Sequence, residues 1–157
     1  MIRVESSFFF FSPNREAGRR CVSQMTEPKN VGAILCVDDE AVGLSVRKMM
    51  LESQGYRVFT AENGPDGLAI FSVEPIDLVV LDYKMPGMNG DLVAERMKQL
   101  KRSVPILLLS AYVDLPRETL ALVDGYLTKG EGPLAMLTAI AKLLSRPSRQ
   151  SKATSGK

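Results

Sequence analysis

Histidine is missing from all 157 residues of the chain. That absence excludes Ser-His-Asp and Cys-His nucleophilic chemistry and any metal centre built on imidazole ligands. Cysteine is almost missing too, with Cys21 and Cys36 as the two examples. Cys36 lies within an apolar run, the usual setting of a small buried thiol, and Cys21 belongs to no comparable pattern. No disulfide framework is expected, and a reducing compartment, the cytoplasm, is the default. No apolar stretch approaches the roughly 20 residues needed to span a bilayer, so no membrane insertion is expected. Phe8–Phe11 is too short for a signal-peptide core, and Glu5 stands in its leader.

A surplus of one charge is lacking overall, since the formal net charge is +2. Its distribution is uneven. Residues 1–30 carry five Lys or Arg against three acids, and residues 146–157 carry four against none, which leaves eleven basic and fifteen acidic residues in 31–145. An acidic central domain between basic ends does not suit nucleic-acid binding by the domain itself. The polar RPSRQSKATSGK end (146–157) reads as a disordered tail, and 1–30 as a disordered extension, with Met25 as an alternative start.

What remains is a single domain over 31–145. Apolar runs at Ala33–Val37, Arg57–Ala61, Asp77–Leu81, Ile106–Leu109 and Gly125–Thr128 read as strands. Helical segments separate them. In Ala41–Gln54 the stripe is Val42, Val46, Met49 and Met50, with Gly55 as a stop. Asn63 and Pro65 open a second helix, Gly90–Lys101 carries Leu92, Val93, Met97 and Leu100, and Asp114 and Pro116 start a short fourth one. Leu134, Leu137, Ile140, Ala141 and Leu144 line the last. Strands alternating with helices indicate an α/β fold, a doubly wound parallel sheet with helices on both faces, and ligands outside the carboxyl ends of its strands.

Those ends carry chemistry. The run AILCV (33–37) ends in Asp38, Asp39 and Glu40, like charges that repel unless something positive joins them. Asp82 follows the third strand, Ser110 the fourth and Lys129 the fifth. Helix N-terminal charge accounts for one or two of the first three acids and leaves Asp82 unexplained. Carboxylates without imidazole or thiolate form a hard-oxygen site suited to Mg²⁺, with a carboxylate able to attack a phosphoryl group and an ammonium and hydroxyl able to neutralise its oxygens.

With these residues in view, the chain resembles a response-regulator receiver domain of the single-domain chemotaxis-regulator type. The matching pieces are ILCVDDE, GYRVFTAENGPDGL, VVLDYKMPGMNG, PILLLSA and GYLTKG, across roughly 32–145. The resemblance implies a flavodoxin-like, three-layer αβα fold with strand order 2-1-3-4-5. It implies that Asp82 accepts the phosphoryl group. Asp39, Asp82 and the Lys84 carbonyl would hold Mg²⁺ directly, and Asp38 through water. Ser110 and Lys129 would bind the phosphoryl oxygens, Ala111 would leave room for the donor, and Tyr126 would turn inward on activation. The implied donor is a sensor histidine kinase or histidine phosphotransfer protein. The expected function is a stand-alone regulator, not an enzyme, that signals by contacts with a downstream protein as a monomer or phosphorylation-dependent homodimer. A Mg²⁺-dependent phosphohydrolase with an aspartyl-phosphate intermediate is the alternative, disfavoured because Lys84 stands where such enzymes need a second aspartate. Gly130 replaces the proline usual in the family, so a trans peptide is expected there, and the fourth helix is expected to be truncated.

Overall fold

A computed structural model describes residues 31–145, so the expectations for 1–30 and 146–157 fall outside the described residues. The elements alternate as β1 (Ala33–Val37), α1 (Ala41–Ser53), β2 (Arg57–Ala61), α2 (Gly64–Val73), β3 (Leu78–Asp82), α3 (Gly90–Leu100), β4 (Ile106–Ser110), α4 (Arg117–Leu122), β5 (Gly125–Thr128) and α5 (Gly132–Leu144). All neighbouring strands are parallel, in the order β2-β1-β3-β4-β5. Every residue of β1, β3 and β4 is buried, whereas the edge strands β2 and β5 are partly open. That is why three of the five runs are continuously apolar: a central parallel strand is covered on both faces.

Alternate strand residues feed two cores. Leu35, Val37, Val79, Leu81, Ile106 and Leu108 pack with Phe71 of α2 and with Val93, Ala94 and Met97 of α3. Ile34, Cys36, Leu78, Val80, Leu107 and Leu109 pack with Leu44 and Leu51 of α1 and with Met136, Ile140 and Leu143 of α5. The layers are therefore α1 and α5, the sheet, then α2 and α3. Burial pushes the Cys36 thiol up to about 12, so it is an inert core group.

Several boundaries and faces differ from expectation. β3 starts and ends one residue later than the apolar pattern implies, because Asp77 turns its carboxylate back to accept the Ala33 N–H at 2.7 Å. Asp82 and Ser110 are thus the last residues of their strands, with Asp82 in register with Leu109 and Ser110 with Thr128. On α1 the expected stripe is the wrong face: Val42, Val46 and Met49 are 72%, 59% and 71% exposed. The inward face is Leu44, Arg47 and Leu51, and its charged middle member hides the period from any apolar count. Leu92, Leu100 and Leu134 also prove exposed, while Val93, Met97 and Met136 are buried beside them. α4 has only six residues, and the described backbone contains no cis peptide bond, Gly130 included.

The loop after β3 is held tightly. Gly90 donates its N–H to the Tyr83 carbonyl at 2.7 Å, and a Cβ at Gly90 would collide with the Asp82 carbonyl. A Cβ at Gly130 would meet nothing within 4 Å. Gly90→Ala should therefore lower unfolding stability by about 1–3 kcal/mol, the cost of overpacking. Gly130→Ala should change it by no more than about 0.5 kcal/mol. Urea unfolding of both variants measures the contrast, and similar small effects would refute the packing argument.

Candidate functional site

Three parallel strands deliver carboxylates and a cation to one edge. β1 runs into buried Asp38 and exposed Asp39, β3 ends at Asp82, and Lys129 follows β5. One oxygen each from Asp38, Asp39 and Asp82 lies within 4.8 Å of the others. Lys129 Nζ sits 3.1 Å from Asp82 Oδ1 and 3.2 Å from Asp38 Oδ2. The expected gathering of Asp38, Asp39, Asp82 and Lys129 is thus found in space. A donor set made only of carboxylate oxygens fits a hard divalent cation such as Mg²⁺, which takes few protein ligands and keeps several waters.

Local structure sets each side chain. Asp38 Oδ1 accepts the Glu40 N–H at 2.9 Å as β1 turns into α1. Lys129 begins a 3-10 turn, Lys129–Glu131, closed by a capping box in which Thr128 N–H and Oγ1 bond Glu131 Oε1 at 2.9 and 3.0 Å. That box places the lysine without the family's proline. Ser110, buried at the end of β4, accepts the Tyr112 N–H at 2.9 Å. Tyr126 lies on β5 in register with Leu108. Its ring is half-buried, and its hydroxyl donates to the Tyr112 carbonyl and, at 3.2 Å, to the Val113 carbonyl. Ser110 and Tyr126 therefore grip the same loop residue from two sides. Lys84, exposed in the loop after β3, extends its ammonium to the Tyr112 hydroxyl at 3.2 Å.

Two residues at the site escaped the sequence reading. Tyr112 carried no signal, since an exposed loop tyrosine has no period. Arg47 carried one: a basic residue between Leu44 and Leu51 on the inward face of a helix. Its guanidinium is ion-paired with Asp38 Oδ2.

Asp82 feels opposing influences. Burial and the nearby Asp38 carboxylate raise its pKa above 3.8, and Lys129 only partly offsets them. The Lys129 ammonium is itself held above 10.5, because Asp82 and Asp38 outweigh its own desolvation. The two shifts are compatible: the lysine gains two acids, whereas Asp82 gains one cation among several acids. A raised folded pKa means that the folded chain holds the Asp82 proton more readily than the unfolded chain. Ionised Asp82 then destabilises the fold fully above its raised pKa and not below about 3.8. In chelator, Asp82→Asn should melt at higher temperature than wild type at pH 7, and that advantage should shrink toward pH 4. A lower melting temperature at pH 7 would show that the Lys129 pair dominates.

Comparison with known proteins places this geometry. A family model described as a response regulator receiver domain matches residues 34–141. The transcriptional regulatory protein GlrR of Escherichia coli (strain K12) is 32% identical over 116 residues, covering 72% of this chain and 26% of that protein. The chain spans from 14% to about half of the length of the curated relatives it matches. Among solved structures, a CheY-like receiver domain from Methanospirillum hungatei JF-1 gives a TM-score of 0.69 at 30% identity, over 72% of this chain and 93% of that one. The response regulator TrrA of Thermotoga maritima, solved with Mg²⁺ and BeF, gives 0.66 at 35% identity, over 71% and 98%. TrrA solved in complex with the histidine kinase ThkA gives 0.67 at 34% identity, over 73% and 99%. A family match running from β1 into α5, carried on the same sheet topology, decides the matter: the chain belongs to the response regulator receiver domains of two-component systems.

Proposed function

We propose that this domain accepts a phosphoryl group on Asp82 from a phosphohistidine donor and signals through contacts of its own surface. The observation that carries the reading is Asp82 itself, a buried carboxylate at a strand end, bonded to Lys129 and faced by Asp38 and Asp39. An Asp82 oxygen attacks phosphorus, the O–P bond forms as the donor's N–P bond breaks, and the imidazole keeps the electron pair. Lys129 neutralises charge on the transferring oxygens, and the Ser110 hydroxyl turns from Tyr112 to donate to one of them. Asp39, Asp82 and the Lys84 carbonyl would hold Mg²⁺, with Asp38 acting through water. Mg²⁺ when bound supplies further neutralisation of the phosphoryl oxygens.

Signalling follows from the shared grip on Tyr112. Once Ser110 turns away, the loop keeps the side-chain bonds of Tyr126 and Lys84, and the short α4 beyond it is free to settle in a second arrangement. A partner protein that binds one arrangement better reads the phosphoryl group. The domain acts in the cytoplasm as a monomer or phosphorylation-dependent dimer, without nucleic acid of its own. No helix among the described residues is long and apolar enough to cross a membrane. The phosphohydrolase alternative remains disfavoured, since Lys84 occupies the position two residues after Asp82.

The donor's docking face is the outward side of α1. Val42, Val46 and Met49 lie one and two turns apart, exposed, on the helix that starts immediately after the acidic residues. An apolar stripe bordering a charged centre suits a helical partner that must present its histidine to that centre. TrrA, solved with a histidine kinase, supports a kinase as that partner.

Acetyl phosphate with Mg²⁺ should label the wild-type chain with a base-labile phosphoryl group, and Asp82→Asn should take up essentially none. Undiminished labelling of that variant would sink the assignment. Val46→Asp should slow transfer from the cognate kinase or phosphotransfer protein at least about tenfold, the effect of a charge buried in a docked interface. It should leave labelling by acetyl phosphate unchanged. Equal losses with both donors would place the fault in the site and remove α1 as the docking face.

A further inference from the structure

Asp38 is more fully engaged than a metal-binding acid needs to be. Its Oδ1 accepts the Glu40 N–H, while its Oδ2 takes both the Lys129 ammonium, at 3.2 Å, and the Arg47 guanidinium. Lys129 is shared with Asp82, but Arg47 has no other ion pair among the described residues. The arginine reaches this position from the inward face of α1, with its side chain 15% exposed and the acid it meets 2% exposed. One turn earlier stands Gly43, within the helix, where glycine costs roughly 1 kcal/mol relative to alanine. A Cβ there would come within 3.2 Å of Arg47 Nη2 and 3.6 Å of Glu40 Oε2. Gly43 thus clears the path along which the guanidinium reaches the acidic edge.

We propose that Arg47 is a resident counter-ion of the acidic cluster, holding Asp38 in the metal-free domain and competing with the divalent cation for it. The proposal rests on the reading that this cluster binds Mg²⁺. Three carboxylates meet two fixed cations, Lys129 and Arg47, so one negative charge remains for a divalent ion to find. Without Arg47 two remain, and Asp38 Oδ2 regains a free lone pair. Removing the guanidinium therefore strengthens attraction for Mg²⁺ and increases repulsion among the empty carboxylates. Arg47 is on this account a positioning residue: it acts on the site through Asp38 and sets how readily the resting site fills.

The test is Mg²⁺ titration of the full chain, followed by amide NMR shifts or calorimetry, for wild type, Arg47→Gln, Arg47→Lys and Lys48→Gln. Arg47→Gln should bind Mg²⁺ about tenfold more tightly than wild type, as expected for losing one like charge a few ångströms from the ion. Arg47→Lys, which keeps the charge, should stay within about threefold of wild type. Lys48→Gln removes the same charge from a residue paired at 3.9 Å with Glu52, outside the cluster, and should change little. Thermal unfolding adds a second readout: Mg²⁺ should raise the melting temperature of Arg47→Gln more than that of wild type. Should Arg47→Gln fail to fold, Arg47→Met keeps the aliphatic stem and gives the same comparison. Unchanged or weaker Mg²⁺ affinity in the folded variant overturns the proposal, as does an equal gain from Lys48→Gln. A wild-type chain that binds no Mg²⁺ overturns the metal reading and this proposal together, so the two failures are told apart.

Discussion

The crowding of like charges at the carboxyl edge of β1 and β3 is the constraint around which this domain is arranged. Two of the three acids, Asp38 and Asp82, are at most 4% exposed, so water cannot screen them from each other. Burying a carboxylate is costly unless it is paired and hydrogen-bonded. The fold answers with two cations, one near in sequence and one distant. Lys129 comes from the turn after β5, and Arg47 from the second turn of α1. A residual strain persists, visible as the raised pKa of Asp82. Three carboxylates against two fixed cations leave a net negative charge at this edge.

Rigid surroundings hold this arrangement in place. β1, β3 and β4 are buried from end to end and fix the acids and Ser110 through the sheet register. Gly90 brings the loop after β3 back against the Asp82 carbonyl. On the other side of β4 the chain is lighter: α4 has six residues, and β5 is only partly buried. Tyr112, held through its N–H by Ser110 and through its carbonyl by Tyr126, sits where the rigid part meets the light one.

The fold was legible in the sequence to a large degree, and the reasons are local. Continuous apolar runs with short connections marked the strands, and charged residues at the same end of several runs marked the edge that carries the chemistry. The reading failed where a charged residue takes a core-facing place. Because Arg47 interrupts the Leu44–Leu51 face, the apolar count moved to Val42, Val46 and Met49, which face outward. The single-residue shift of β3 had a similar cause: Asp77 serves as an acceptor for Ala33, a role no pattern announces.

The sequence by itself determined the α/β alternation, the family and the identity of Asp38, Asp39, Asp82, Ser110 and Lys129 as the chemically distinctive set, because periodicity and residue type are local properties. Only the tertiary structure decided how these groups are paired. That Asp38 shares its Oδ2 between Lys129 and Arg47, and that Tyr126 is already tethered to Tyr112 and Val113, depends on distances between residues 9 to 91 positions apart. The range of a Coulombic or hydrogen-bonding contact is a few ångströms, and only the folded chain brings such partners within it.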